Sequence, residues 1–73
     1  MAIQIVMDHT GDTRHYFSLA DEATVAEAEK RFVKLTGAGF IAATRTGHGG
    51  STLTRRFDPT VEETVFFPRL QGG

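Results

Sequence analysis

The 73-residue sequence predicts a single α+β domain, a mixed sheet of four to five strands covered on one face by one helix. Only residues 24–37 carry apolar side chains at helical spacing. Strand patterns precede and follow this segment in pairs, each separated by a glycine-containing turn. A short apolar run at 65–67 adds a last strand, which we expect to pair in parallel with the first. Because a lone helix can cover only one side, we expect the other side of the sheet to be open.

The first two strand patterns predict a hairpin. Ile3 and Ile5 alternate with more polar residues, which is typical of a strand with one buried face. Residues 13–19 are predicted to form the second strand. A three-residue turn at 10–12 pairs Ile5 with Phe17 and Ile3 with Leu19 on one apolar face, whereas a two-residue turn at 10–11 places Phe17 and Leu19 on the wrong face. We therefore expect the longer turn.

The helix is predicted from its ends and its stripe. Thr24 followed by Glu27 is typical of a capping box at the start. Gly37 is a natural stop, since glycine adopts the left-handed conformation at little cost. The buried stripe consists of Val25, Ala28, Phe32 and Leu35.

A second hairpin is expected from residues 40–46 and 51–57, which flank the glycine-rich segment 47–50. A turn centred on its middle pairs Phe40 with Phe57. Segment 47–50 could instead cradle a phosphate, but a strand follows it rather than a helix, so we favour the turn. The predicted core comprises Ile3, Ile5, Phe17, Phe32, Leu35, Phe40, Leu53 and Phe57.

Composition limits the function classes. The chain has no cysteine, which excludes a disulfide framework, a thiolate zinc site and a cysteine nucleophile. This favours a cytoplasmic protein. No stretch approaches the ~20 apolar residues of a membrane span. The net charge of −1 predicts no special attraction to nucleic acid or anionic membranes.

Two further clusters have alternative interpretations. The histidines could bind a metal, but they lack ligand spacing, so we expect no metal site. Three arginines could form a nucleic-acid patch, but a solvated strand surface or a partner contact suits a chain with net negative charge better. The residues concerned are His9, His15 and His48, and Arg45, Arg55 and Arg56.

The open face of the sheet is a candidate partner interface. Our registers place Val6, Tyr16 and Ile41 there, together with either Phe66 alone or Val65 and Phe67. Scattered exposed apolar residues carry no meaning, whereas a contiguous set often marks an interface. We expect Val6, Tyr16, Ile41 and Phe67 to contact a partner.

The strand order and the last ten residues resemble a known group of proteins. The order is that of the β-grasp, or ubiquitin-like, fold. Residues 64–73, Thr-Val-Phe-Phe-Pro-Arg-Leu-Gln-Gly-Gly, resemble the C-terminus of the molybdopterin synthase small subunit family. The thiamine-pathway sulfur carriers are similar but less aromatic. Arg69-Leu70 followed by Gly72-Gly73 also resembles the tail of ubiquitin.

The resemblance implies a carrier protein rather than an enzyme. In these families an activating enzyme adenylates the terminal carboxylate, here that of Gly73, and a sulfur donor or an enzyme thiol then displaces AMP. The expected organisation is a domain at 1–68 and a flexible tail at 69–73, in which Gly72 lets the backbone approach the nucleotide and Arg69 and Leu70 are recognised. No side chain is expected to be catalytic, and no cofactor is expected.

Partners under this interpretation are an adenylating enzyme and a sulfur donor or acceptor enzyme. The first alternative is a ubiquitin-like modifier conjugated to target proteins through Gly73. Polymeric chains are not expected of it, since Lys30 and Lys34 are the only lysines and share the solvent face of the helix. The second alternative is a β-grasp binding or assembly module whose tail is never activated.

Overall fold

The computed structural model describes residues 1–45 and 50–69. Within these ranges one helix packs against a five-stranded mixed sheet, which confirms the α+β prediction. The strand order across the sheet is β2-β1-β5-β3-β4; β1 and β5 are parallel, as predicted, and the other neighbours are antiparallel. The elements are β1 (Ala2–Asp8), β2 (Gly11–Phe17), α1 (Glu22–Gly37), β3 (Phe40–Arg45), β4 (Ser51–Thr54) and β5 (Glu63–Pro68).

The predicted register of the first hairpin is wrong. Asp8 lies opposite Gly11, so the turn consists of two residues, and Ile5 pairs with Arg14 instead of Phe17. The Asp8 carboxylate accepts a hydrogen bond of 2.8 Å from the backbone N–H of Thr10. Gly11 follows at φ +124°, a conformation that side-chain-bearing residues rarely adopt. Local hydrogen bonding and this glycine close the turn earlier than the apolar pattern indicated.

This register reverses the faces of β1. Ala2 and Gln4 are buried beneath α1, and Val6 packs there against the cluster around Phe32. Ile3 and Ile5 therefore lie on the opposite side of the sheet, not in the predicted core.

Helix α1 begins earlier than the capping-box pattern predicted. Asp21 is the N-cap, and its carboxylate accepts a hydrogen bond of 3.1 Å from the Ala23 N–H. Thr24 lies inside the first turn, where its hydroxyl bonds the carbonyl of Asp21 at 2.7 Å. At the other end Gly37 is still helical, and the left-handed conformation falls on Gly39 at φ +100°.

The second hairpin is displaced by one residue from the prediction. Ala43 pairs with Leu53 and Thr44 with Thr52. Leu53 consequently lies on the open side, where it is 68% exposed, so its assignment to the core is wrong. Of the predicted turn segment 47–50, residues 47–49 lie outside the described residues.

The core lies between α1 and the covered face of the sheet. Ala28 and Phe32 from the predicted stripe are buried, and Val25 and Leu35 pack at its margins. Phe57 joins the two halves of the core, with its ring centroid 5.9 Å from those of both Phe17 and Phe32. Of the predicted core residues, Phe17, Phe32, Leu35, Phe40 and Phe57 are confirmed on this side.

A short segment after β4 returns the chain to the middle of the sheet. The Asp58 carboxylate accepts a hydrogen bond of 2.9 Å from the Thr60 N–H and so stabilises a turn between β4 and β5. The Ile3 N–H then donates to the Glu62 carbonyl at 2.9 Å, which sets β5 beside β1. Among the described residues no helix is long and apolar enough to cross a membrane.

Candidate functional site

The side of the sheet opposite α1, here called the outer face, carries an almost continuous apolar surface. Strand alternation and the pairing registers define its members. β1 lies near its centre, and Ile3 and Ile5 are flanked by Tyr16 on β2 and Val65 on β5. The apolar members are Ile3, Ile5, Met7, Tyr16, Ile41, Ala43, Leu53, Val65 and Phe67.

Charged residues border this surface as ion pairs. On β2, Nη2 of Arg14 lies 3.8 Å from Oδ2 of Asp12. Between β3 and β5, Nη1 of Arg45 lies 3.4 Å from Oε2 of Glu63. Tyr16 and Leu53 project most, with 60% and 68% of their surface exposed. An apolar centre with a charged border is the composition expected of a protein-binding surface.

Three of the four predicted interface residues lie on the outer face. Tyr16, Ile41 and Phe67 belong to it, and Ile41 is paired directly with Phe67. Val6 does not, because it lies on the covered face and packs against the cluster around Phe32. Of the two alternatives for β5, Val65 with Phe67 is the correct one, since Phe66 is fully buried.

Sequence reasoning missed Ile3, Ile5, Met7 and Leu53 as members of this surface. The alternation of Ile3 and Ile5 with other residues is evident in the sequence. Both were assigned to the core because the larger apolar residues of the strand were expected beneath the helix. A signal was present in Gly11, which allows the tighter turn that reverses the register.

The covered face holds a polar contact that the sequence did not reveal. Gln4 is fully buried; its Nε2 donates to the Ala28 carbonyl at 3.0 Å, and its Oε1 accepts from Arg31 Nη1 at 2.8 Å. His15 pairs with Gln4 across β1 and β2. Burial, and secondarily the Arg31 charge, lower the pKa of His15. Through these two hydrogen bonds Gln4 connects β1 to α1.

The predicted tail begins at Arg69, an exposed residue that directly follows β5. Leu70, Gly72 and Gly73 lie outside the described residues. Because β5 is the central strand, the chain leaves the sheet between β1 and β3.

Residues 1–45 and 50–69 contain no cluster of three metal-ligating side chains. His9 and His15 lie in a turn and a strand, whereas His48 and most of segment 47–50 lie outside the described ranges. Hydrogen bonds from Thr10 and Thr60 lower the pKa values of Asp8 and Asp58, respectively. Both carboxylates thereby stabilise turns.

No protein-family model matches this chain, and neither the curated proteins nor the solved structures contain a significant match.

Proposed function

We propose that this protein is a small carrier whose Gly73 carboxylate is adenylated by an activating enzyme for sulfur transfer. The observation that supports the proposal most is the sheet order, with the last strand central and parallel to the first. This order around a single helix is compatible with a β-grasp fold. The sequence Pro-Arg-Leu-Gln-Gly-Gly follows the aromatic part of β5, as in the carriers it resembles.

The chemistry requires a reactive terminus on a stable domain. A Gly73 carboxylate oxygen attacks the α-phosphate of ATP, pyrophosphate leaves, and an acyl-adenylate forms. Hydrosulfide delivered by a sulfur donor then displaces AMP at the acyl carbon, which gives the thiocarboxylate. Gly72 and Gly73 have no Cβ, which favours close approach of the backbone to a nucleotide. The proposed partners are therefore the adenylating enzyme and the enzymes that donate and accept sulfur.

The outer face supplies a contact surface for such partners. Three rows of side chains across five strands cover roughly 500 Å², from ~4.8 Å between strands and ~3.4 Å per residue. Stable interfaces use about 800 Å² on each partner. We expect Tyr16, Ile41 and Phe67 to be among the contact residues.

Intact-mass analysis of the protein from its native host tests the proposal. We expect a fraction in which one oxygen of the Gly73 carboxylate is replaced by sulfur. Deleting Gly72 and Gly73 should abolish this product without changing the free energy of unfolding, since both follow β5. A second protein joined through Gly73 would favour a ubiquitin-like modifier instead.

The apolar outer face also favours a second candidate, a binding module whose tail is not activated. Complementation of a strain that lacks the gene distinguishes the two functions, because different variants fail to restore growth or activity. A carrier loses function when Gly72 and Gly73 are deleted. A binding module tolerates that deletion but fails with Leu53→Ser, a change at an exposed position. An unmodified native protein together with a tolerated deletion would refute the carrier proposal.

A further inference from the structure

A pocket of about 410 Å³ lies at the corner of the sheet where four elements end or begin. Helix α1 ends beside it, β3 begins there, and β4 and β5 both finish there. Its size falls within the roughly 300–1,000 Å³ of typical ligand pockets. The corner is separate from the centre of the outer face but continuous with it through Ile41 and Leu53, which contribute to both.

The lining combines an apolar surface with two positive charges. Phe40, Ile41 and Leu53 supply apolar area, while Arg55 and Arg69 supply the charges. Among the described residues no acidic side chain lines the pocket. Within residues 1–45 and 50–69, neither Arg55 nor Arg69 forms an ion pair. Arg14 and Arg45, at the border of the outer face, each form one.

The two threonine hydroxyls of the lining already have partners. Thr36 donates its hydroxyl hydrogen to the Phe32 carbonyl at 2.8 Å, and Thr54 donates to the Arg56 carbonyl at 2.9 Å. The partial negative charge at the C-terminal end of α1 disfavours a bound anion. Its Lys34 and Leu35 carbonyls accept from the Ala38 N–H, which reduces that effect. The side-chain donors that remain for a ligand are therefore the guanidinium groups of Arg55 and Arg69.

We propose that this pocket binds an acidic peptide segment in which a large apolar side chain adjoins a carboxylate. Two guanidinium groups complement carboxylates, and the apolar surface buries the neighbouring side chain. An inorganic anion would leave that surface unused, and an uncharged peptide would leave the arginines without partners. The pocket is open and continuous with the outer face, which suits a segment of a protein. This site does not depend on activation of Gly73.

The test is an NMR titration of the ¹⁵N-labelled full chain with a blocked glutamate–leucine–aspartate–glutamate peptide. We expect shift changes concentrated at Phe40, Ile41 and Arg55. A glutamine–leucine–asparagine–glutamine peptide should bind at least about fivefold more weakly, since ~1 kcal/mol corresponds to that ratio. A peptide with glycine in place of leucine should also bind more weakly.

Substitutions of single arginines identify the positive charges that contact the peptide. Arg55→Gln and Arg69→Gln should each weaken binding by about threefold to fivefold, whereas Arg55→Lys should retain more of it. Arg14→Gln, at the far edge of the sheet, is the matched control and should leave binding unchanged. Equal binding of the acidic and neutral peptides, shifts spread over the whole surface, or equal weakening by Arg14→Gln would overturn the proposal.

Discussion

Gln4 is a fully buried polar side chain on the covered face of the sheet, and both ends of its amide are hydrogen-bonded. One bond reaches the Ala28 carbonyl and the other the Arg31 guanidinium, 24 and 27 residues away in the sequence. Buried amides are tolerated when their polar atoms have partners. This residue therefore fixes the position of α1 over β1 more specifically than an apolar side chain would.

A double-mutant cycle tests this role. Gln4→Leu should lower the free energy of unfolding by about 1–3 kcal/mol, because Arg31 loses its acceptor in a partly buried site. Arg31→Met should lower it similarly by leaving the Gln4 oxygen without a donor. Urea unfolding of both single variants and the double variant should give a coupling energy of about 0.5–3 kcal/mol. Strict additivity would contradict the contact.

We expect His15 to make the free energy of unfolding depend on pH. Burial and the Arg31 charge lower its pKa below the ordinary value of 6.5, so the unfolded chain binds the proton more tightly. Above pH 6.5, the ordinary pKa of histidine, the contribution of His15 to the free energy of unfolding is complete. It is lost as the pH falls from 6.5 toward the lower pKa of the folded protein.

The measurement is urea unfolding at about pH 7.5 and about pH 5.5, above the range in which carboxylates titrate. The native protein should be less stable at the lower pH. His15→Gln should remove much of this difference, whereas His9→Gln, at an exposed turn position, should retain it. An unchanged pH dependence in His15→Gln would contradict the assignment.

At the level of elements, two glycines at the end of α1, Gly37 and Gly39, have different roles. Gly39 has φ +100°, whereas Gly37 is the last helical residue and has open space where a methyl group would project. Gly39→Ala should cost about 1–3 kcal/mol, since it forces a side-chain-bearing residue into a left-handed conformation. Gly37→Ala should instead stabilise by about 0.5–1 kcal/mol. Thermal unfolding of the two variants distinguishes them, and destabilisation by both would contradict this helix end.

The packing of α1 on the sheet depends on Phe32. It is 3% exposed, and its ring centroid lies 5.6 Å from that of Phe66 in an edge-to-face contact. Phe32→Ala should cost about 3–5 kcal/mol through the cavity it leaves. Val33 is the control on the same helix, since it is 63% exposed. Val33→Ala should change stability by no more than about 0.5 kcal/mol, and a similar loss in both variants would contradict the orientation of α1.

For the molecule as a whole, the consequential feature is a sheet that is apolar on both faces. Tyr16 and Phe17 are neighbours in β2 that point to opposite sides, one 60% exposed and the other buried. Phe17→Ala should cost about 3–5 kcal/mol, and Tyr16→Ala less than about 1 kcal/mol. Chemical denaturation measures both. The reverse order would mean that the faces of the first hairpin are exchanged.

Local patterns in the sequence were sufficient to predict the order of the elements, the α+β class and the parallel pairing of the first and last strands. They also identified the apolar stripe of α1, because helical spacing depends only on neighbouring positions. The predicted face of Tyr16, Ile41 and Phe67 is confirmed as well. These results depend on local periodicity, turn residues and the need of one helix for one sheet.

The covered face of β1, in contrast, is a property of the folded chain. Both faces carry apolar residues, so alternation alone does not choose between them, and a shift of one residue exchanges them. The choice depends on the turn closed by Asp8 and on partners for Gln4 that are distant in sequence. The corner pocket likewise arises where the ends of α1, β3, β4 and β5 meet. Long-range packing brings those ends together, and no local pattern encodes it.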